Sequence, residues 1–495
     1  MKTKPIKFVI VSGWMAALFV GCSSIPSVGP NYKERELQVE SYALPDAGLP
    51  TTNLTEIGEY EAAKGADDTR VVISTNTLAH WWKRFNDPVL VRLISGGVEN
   101  NLGYRMAKER LSRAQYELLG SYAAFLPKFG VNADWARRWN SENTTAGKST
   151  YNIRDFAVDG RWEIDIFGGN RRLAEAAFAE AEAANWTVSD AWISLTTQIG
   201  AQYINLRTTQ ELIDVARTNL VLQSETYEIL KSRLDSGIGD ELAVNQCAYI
   251  VEQTRARIPT LLSNEESIKN ALAIWVGQYP GSLDRELAPL NVKRDWLLEP
   301  QKVSELPLDL IRSRPDVRAA ERALAAQTAR IGVAKAEWFP KLMVTGTLGW
   351  QNKSSTRLFS RDSFLASLGP AVSWPIFQGG AIYANIKAQE ARTEELALAY
   401  EEAVQKAYEQ VRNAYVAYTQ EYHRYKALAC AVKAATDAVQ ISQDLYKNGL
   451  KDFNNVLDAQ RSRLDLEEKF VLSRGEITQN LISLYRALGG GLAAE

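Results

Sequence analysis

Four segments of the chain alternate apolar and polar residues with period two. In the first, Phe129, Val131, Ala133 and Trp135 alternate with Asn132 and Asp134. In the second, Phe156, Val158, Trp162, Ile164 and Ile166 share one face, and Asp159, Arg161, Glu163 and Asp165 share the other. The third sets Leu342, Val344, Leu348 and Trp350 against Thr345, Thr347 and Gln351. The fourth sets Phe364, Ala366, Leu368, Val372, Trp374 and Ile376 against Ser367 and Ser373. This period predicts strands, each of roughly ten residues or more, long enough to cross a bilayer. One aromatic-rich face and one charged face suit a strand between lipid and water. A half-buried sheet on a soluble core would also alternate. The three carboxylates and one arginine on the second strand argue instead for a wide aqueous lumen. Four strands cannot close a membrane barrel, which needs about eight, and an open edge cannot face lipid. Several chains must therefore share one barrel.

A second pattern has a period of seven. Ile199, Leu206, Ile213, Leu220, Tyr227 and Leu234 lie on one stripe, and Val411, Tyr418, Tyr425, Val432, Val439 and Tyr446 on another. Neither surrounding segment, about 170–236 and about 381–448, contains proline. Each predicts a single helix on the order of 100 Å long at 1.5 Å per residue. Sustained apolar heptads make helices supercoil against neighbours, so these stripes read as packing seams.

The two patterns recur together because the chain is internally duplicated. Phe125-Leu126-Pro127-Lys128 returns as Trp338-Phe339-Pro340-Lys341. The stretch from Trp162 to Gly169 returns loosely from Trp374 to Gly380. Gly237, Asp240 and Val244 return as Gly449, Asp452 and Val456. The separation is nearly constant. The expected division is 1–21 as a signal, 22–76 as an extended tether rich in Pro, Gly, Ser and Thr, 77–290 as the first repeat and 291–495 as the second. Each repeat should run helix, two strands, very long helix, shorter helix. Gly168-Gly169 and Gln378-Gly379-Gly380 fall at the strand-to-helix joints, where glycine suits a bend.

The N-terminus adds a membrane address. Lys2, Lys4 and Lys7 precede an apolar run from Phe8 to Val20, which ends at Gly21-Cys22. That is the layout of a secretory signal, and the run is too short to span a bilayer. Phe19-Val20-Gly21-Cys22 resembles a bacterial lipobox, with Phe19 in place of the usual leucine. An ordinary signal peptide with a chance cysteine is the alternative. By resemblance to bacterial lipoproteins, Ser23, where an Asp would mark retention at the inner membrane, implies sorting to the outer one. No other cofactor is expected. The near-zero net charge, with acids and bases interspersed, gives no reason to invoke nucleic acid. Cys247 and Cys430 lie within helical patterns and read as buried free thiols, although the periplasm would permit a bridge.

Several blocks resemble the outer membrane factor family, the TolC-like exit ducts of tripartite efflux pumps and type I secretion systems. The most specific is Ser313-Arg314-Pro315-Asp316-Val317-Arg318-Ala319-Ala320-Glu321. Trp81 to Leu90, Val456 to Arg461 and Leu484 to Gly491 are also close to the family pattern, and Val28-Gly29-Pro30-Asn31-Tyr32 looks like its lipoprotein branch. The resemblance covers nearly all of the mature chain. It implies a homotrimer with a twelve-strand β-barrel, four strands per chain, continued by a long periplasmic α-helical barrel. It also implies a periplasmic adaptor and an inner-membrane pump as partners, and outer-membrane lipid around the barrel. Two departures are small: Leu492 replaces a frequent aromatic, and Cys247 stands where the second copy has Ala459, which implies a small packed residue.

Catalytic chemistry is hard to find. His80 and His423 are the two histidines, far apart, and no Cys/His cluster has zinc spacing. No nucleotide-binding loop is present. A carboxylate-pair hydrolase lacks a supporting constellation, and a purely structural periplasmic coiled-coil lipoprotein would not need the aromatic strands. The resemblance implies a passive duct for drugs, solvents or metal ions, whose control point is expected at the far end of its helices. The turns there are Gly237 to Asp240 and Gly449 to Asp452. By resemblance, Asn454, Asp458 and Arg461 narrow the periplasmic mouth. Asp458 repeated about an axis would form an anionic ring. Ordinary i,i+3 surface pairing of Asp458 with Arg461 uses the same spacing.

Overall fold

The structure is a computed structural model that describes residues 27–34, 80–143, 148–289 and 311–490. Cys22 and most of the 22–76 tether lie outside the described residues. The described residues fall into two compact units. Those within Met1–Leu37, Arg110–Asn185 and Ala319–Glu401 form the first, and those within Gln38–Glu109, Trp186–Arg318 and Glu402–Glu495 form the second. Each unit draws on both repeats.

In chain order the elements are α1 Pro88–Asn100, α2 Leu102–Tyr122, β1 Lys128–Asn140, β2 Ser149–Ile164, α3 Gly169–Asp235 and α4 Glu241–Val276. The second repeat contributes α5 Pro315–Ala336, β3 Lys341–Asn352, β4 Phe364–Ser373, α6 Ala381–Lys447 and α7 Phe453–Ala487. Both long helices therefore run within one residue of the expected limits. The expectation of one helix before the strands needs correction in the first repeat. Asn101 takes an extended conformation and splits that helix into α1 and α2. Its side chain accepts from Tyr104 N at 2.9 Å, capping α2, and donates to Trp275 O at 2.9 Å.

The first unit holds one antiparallel sheet in the order β1-β2-β3-β4, with β1 and β4 at its edges. Its strands end slightly earlier than the alternation suggested. Asp165 and Ile166 lie past the end of β2, and Asp165 instead caps α3, its Oδ2 accepting from Arg171 N at 2.9 Å. Trp374 and Ile376 lie past the end of β4. At both joints the backbone turns through left-handed glycines, Gly168 at φ +81° and Gly380 at φ +85°.

The segment 27–34 is held on the first unit between α3 and α5. Val28 N donates to Phe167 O at 3.1 Å, and Arg172 donates to Val28 O, Gly29 O and Asn31 Oδ1. Gly29 passes so close to Gly332 that a Cβ on it would stand 2.4 Å from the Gly332 Cα. Tyr32 packs on Ala179, Ala325 and Ala326 and donates to Glu321 Oε1 at 3.2 Å.

In the second unit the heptad seams are packing positions. Ile199, Leu206, Ile213, Val411, Tyr418 and Val439 are buried, and the remaining heptad residues are half-buried. The main core gathers Trp81, Leu90, Ile199, Tyr203, Leu206, Leu272, Val411, Tyr418, Ile477 and Tyr485.

Candidate functional sites: the two faces of the sheet and the helical tip

Directly paired residues of an antiparallel sheet share a face, so the register sorts the side chains. One row is Ala133, Phe156, Trp350 and Phe364, the next Val131, Val158, Leu348 and Ala366, and the next Phe129, Gly160, Gly346 and Leu368. Phe129, Val131, Trp135, Val158, Leu348, Phe364, Leu368 and Val372 are all exposed there. The opposite face carries Asp134 beside Asp155 and Gln351, Asp159 beside Thr347 and Ser367, and Arg161 beside Thr345. Asp159 is the hub of this face. It accepts from Asn132 and, at 2.7 Å, from Thr347 Oγ1. The four strands thus separate an apolar face from a hydrogen-bonded acidic one, as their alternation predicted.

One contact escaped the reading of the sequence. Trp162 Nε1 donates to Phe125 O at 2.9 Å, and Trp374 Nε1 donates to Trp338 O at 3.0 Å. Both partners are duplication counterparts, so each repeat locks the chain entering its sheet to the chain leaving it. The recurrence of the two tryptophans was the signal available.

At the tip, in the second unit, each long helix ends alike. Gly237 lies at φ +75° and Gly449 at φ +71°. Gly237 N donates to Leu234 O and Ile238 N to Arg233 O, and Gly449 N to Tyr446 O and Leu450 N to Leu445 O. This is a Schellman ending, which demands a left-handed residue. The following helices start differently. Asp240 accepts from Leu242 N at 3.0 Å, whereas the side chain of Asp452 makes no such capping bond. Leu230, Val244, Cys247, Ile250, Phe453, Val456 and Leu457 form one tip core from both repeats. Cys247 is the small packed residue expected, and burial pushes its thiol up to about 11. Cys430 differs from expectation, because it is exposed.

Asn454, Asp458 and Arg461 are all exposed and recur on one side of the first turns of α7. Asp458 Oδ1 and Arg461 Nη1 are 3.7 Å apart within that helix. The Arg461 guanidinium also lies 5.1 Å from the Tyr249 ring centre of α4. Among the described residues no cluster of His, Cys, Asp and Glu could hold a metal.

Comparison with known proteins agrees with this geometry. The sequence profile of the family "Outer membrane efflux protein" matches residues 93–278 and 306–490. The chain belongs to that family. It is similar to Nodulation protein T of Rhizobium leguminosarum bv. trifolii, 29% identical over 451 residues that cover 91% of this chain and 90% of that one. It is also 27% identical to the toluene efflux pump outer membrane protein TtgF of Pseudomonas putida, over 95% of this chain and 94% of that one. The solved outer-membrane channel OprN superposes with a TM-score of 0.81 at 30% identity, covering 94% of this chain and 99% of that one. This outer membrane efflux protein is therefore a transport protein of the bacterial outer membrane and not an enzyme. It has the family's two duplicated halves, four strands per chain and long helices.

The sequence blocks that carried the resemblance have structural work in this efflux protein. Asp87 is fully buried, caps α1 through Val89 N and Leu90 N, and accepts from Tyr203 Oη at 2.7 Å. Trp81 stacks on Tyr485, whose hydroxyl accepts from Arg84 at 2.8 Å. Arg314 is buried, pairs with Asp316 at 2.7 Å and donates at 2.7 Å to Ala487 O, the last residue of α7. Asp87, Tyr203 and Arg314 were not singled out from sequence as individual positions, because a buried polar residue looks like any other until its partner is placed.

Proposed function

We propose that three copies of this chain form one passive outer-membrane duct, the exit of a tripartite efflux pump. A periplasmic adaptor and an inner-membrane pump complete the machine and supply the energy. The cargo is small molecules, which for this family means drugs, solvents or metal ions; the P. putida relative is named for toluene. The observation that carries the reading is the four-stranded sheet with one apolar face, one acidic face and, among the described residues, two unpaired edges. Such edges cannot remain open in lipid, and four strands per chain need company to close.

Cys22 is the proposed anchor, acylated after removal of residues 1–21. It stands six residues before Val28, a stretch of at most about 20 Å when extended. Val28 is held beside the end of β2 through Phe167 O. A lipid on Cys22 therefore has its membrane leaflet close to where the strands end. Native mass spectrometry in detergent should find a homotrimer whose subunits begin at an acylated Cys22. A stable monomer would refute the duct, and an unmodified N-terminus beyond Cys22 would refute the anchor alone.

The proposed gate is the exposed side of α7 at Asn454, Asp458 and Arg461, beside the turns at Gly237 to Asp240 and Gly449 to Asp452. Exposed ion pairs contribute about 0.2–1 kcal/mol each. The 3.7 Å pair lies within one helix and favours neither state, so the gate rests on these charges also pairing between α7 helices of neighbouring copies; three such pairs about an axis would favour a closed mouth by about 1–3 kcal/mol, enough to bias a two-state opening. The double variant Asp458→Ala with Arg461→Ala should conduct more than the parent in planar bilayers at low salt, with the trimer intact. High salt should narrow the difference by screening the parent's pairs. Equal conductance at low salt would move the gate elsewhere.

A further inference from the structure

The apolar face of the sheet changes character along its length. From the row Phe156 and Trp350 down to the row Ile164 and Leu342 it carries apolar residues and glycine alone. Its polar residues are Arg137, Thr150, Asn152, Arg154 and Asn352, and all of them lie at the hairpin end. Every helix that adjoins the sheet enters or leaves at the other end. Arg137 and Arg154 are the charged residues among the paired positions of this face. Arg154 stands opposite Trp135 on one side and Asn352 on the other, and Arg137 stands opposite Asn152.

The height of the two arginines is informative. Ile164 and Arg154 are ten residues apart on β2, a rise of about 34 Å along the strand. A membrane-barrel tilt of about 40° reduces this to about 26 Å, and the apolar band of such barrels is about 25 Å tall. Arg154 therefore marks one border of the band, and Arg137 lies just beyond it. Aromatic rings lie directly on the bilayer side of them, as in the girdles of such barrels. Phe359, from the loop between β3 and β4, folds onto this face and meets Phe156 and Trp350 edge-on at 5.6 Å.

The arginines are placed rather than loose. Arg154 Nη1 donates to Lys353 O at 2.8 Å, which ties the guanidinium to the same loop. Asn352 holds that loop in turn, donating to Arg357 O and Ser363 Oγ. The Arg137 guanidinium lies 5.6 Å from the Trp139 ring centre. The two arginines are diagonal neighbours across β1 and β2, with Cβ atoms about 7–8 Å apart. Their charges repel, and among the described residues neither pairs with a carboxylate. Asp134 and Asp155 point to the other face. The surrounding segments 135–155 and 351–364 hold seven Lys and Arg against three Asp and Glu, so the rim attracts anions. Paired guanidiniums beside exposed rings lack an anion that carries its own hydrocarbon.

Resting on the membrane barrel proposed above, we propose that Arg137 and Arg154 clamp a phosphate of the outer leaflet's phosphorylated glycolipid, whose acyl chains lie on Trp135, Trp350 and Phe359. The helices leave the sheet at the periplasmic end, so the hairpin end meets the outer leaflet. A phosphomonoester on a sugar offers oxygens to two guanidinium forks at once. The neighbouring Asn152 amide can serve the sugar hydroxyls.

Native mass spectrometry of the detergent-purified protein, titrated with lipid A, the diphosphorylated glucosamine lipid, tests the site. The parent should retain lipid A, and a dephosphorylated lipid A or phosphatidylglycerol should be retained about tenfold less. Arg137→Gln with Arg154→Gln should lower lipid A occupancy by a similar factor. Arg137→Lys with Arg154→Lys should restore only part of it, because lysine keeps the charge without the fork. Arg138→Gln with Arg161→Gln removes the same charge from the acidic face and should leave binding at the parent's level. Should the glutamine pair assemble poorly, the lipid comparison on the parent still decides. Equal retention of the dephosphorylated lipid or of phosphatidylglycerol overturns the phosphate clamp. An equal loss in the acidic-face variant reduces the effect to net charge and overturns the site. A parent protein that stays monomeric or needs no detergent overturns the proposed duct instead.

Discussion

Leu348→Arg should abolish assembly in the outer membrane, while Thr347→Arg, one residue earlier, should leave it intact. Leu348 sits well inside the interior strand β3, in the row Val131, Val158, Leu348, Ala366. Its side chain is nonetheless exposed, on the face that also shows Phe129, Trp135 and Leu368. An exposed leucine in the middle of a sheet has hydrocarbon to meet or a partner to cover it. If lipid is there, an arginine costs about 2–4 kcal/mol near the bilayer centre, and an assembly of several copies meets that cost in each. Thr347 points to the other face, where its hydroxyl donates to Asp159 Oδ1 at 2.7 Å. An arginine at this position would find that carboxylate and water. Membrane fractionation, together with the gel mobility of the unheated oligomer, reads both variants. If Thr347→Arg blocks assembly and Leu348→Arg does not, the lipid and lumen faces have been exchanged.

What was legible in the sequence followed from period and recurrence. The two faces of the sheet were readable because side chains alternate strictly along a strand, and the four strands did keep Phe156, Val158, Leu348 and Leu368 apart from Asp134, Asp159 and Thr347. The long helices were readable because neither Pro nor a cap interrupts their heptads, and Gly237 and Gly449 end them through backbone angles that favour glycine. Strand ends were less legible. Period two continues through Asp165 and Trp374, but a strand stops where its neighbour stops, and the neighbour is a matter of topology. The break at Asn101 was hidden for a related reason. Asn caps a helix only when its side chain has orphan amides to serve, and here Trp275, far along the chain, helps to hold it. Arg314 and Asp87 sat within quoted motifs, yet their partners Ala487 O and Tyr203 lie 173 and 116 residues away. Cys430 is exposed because the heptad seam of its helix, through Tyr425 and Val432, passes beside it without covering it. The tip residues Asn454, Asp458 and Arg461 came from the family pattern. One helix with an i,i+3 pair suits both a gate and surface pairing, so only conductance separates the two.

Trp81→Ala should produce the largest loss of stability of any single truncation considered for the second unit. Trp81 is fully buried. Its ring stacks on Tyr485 of α7 at a centroid distance of 5.9 Å, and it meets Trp82 and Phe85 edge-on. It also closes on α3, since a Cβ on Gly200 would stand 2.4 Å from the ring carbon Cη2. The indole thus joins the segment before α1, α3 of the first repeat and α7 of the second. Removing it leaves a cavity bounded by helices that cannot collapse far along their length. Truncations of this kind cost about 3–5 kcal/mol. Part of that loss is packing enthalpy, because the lining atoms forfeit contacts without gaining water. Trp81→Phe keeps a ring against Tyr485 and should lose less. Gly200→Ala should cost less than Trp81→Ala but more than an exposed helical glycine replaced by alanine, because the added methyl must displace the same indole. Denaturant unfolding of the purified protein, followed by far-ultraviolet circular dichroism, orders the three variants. If Trp81→Ala unfolds at the parent's midpoint, Trp81 does not join these helices, and the Trp81 to Leu90 block needs another explanation.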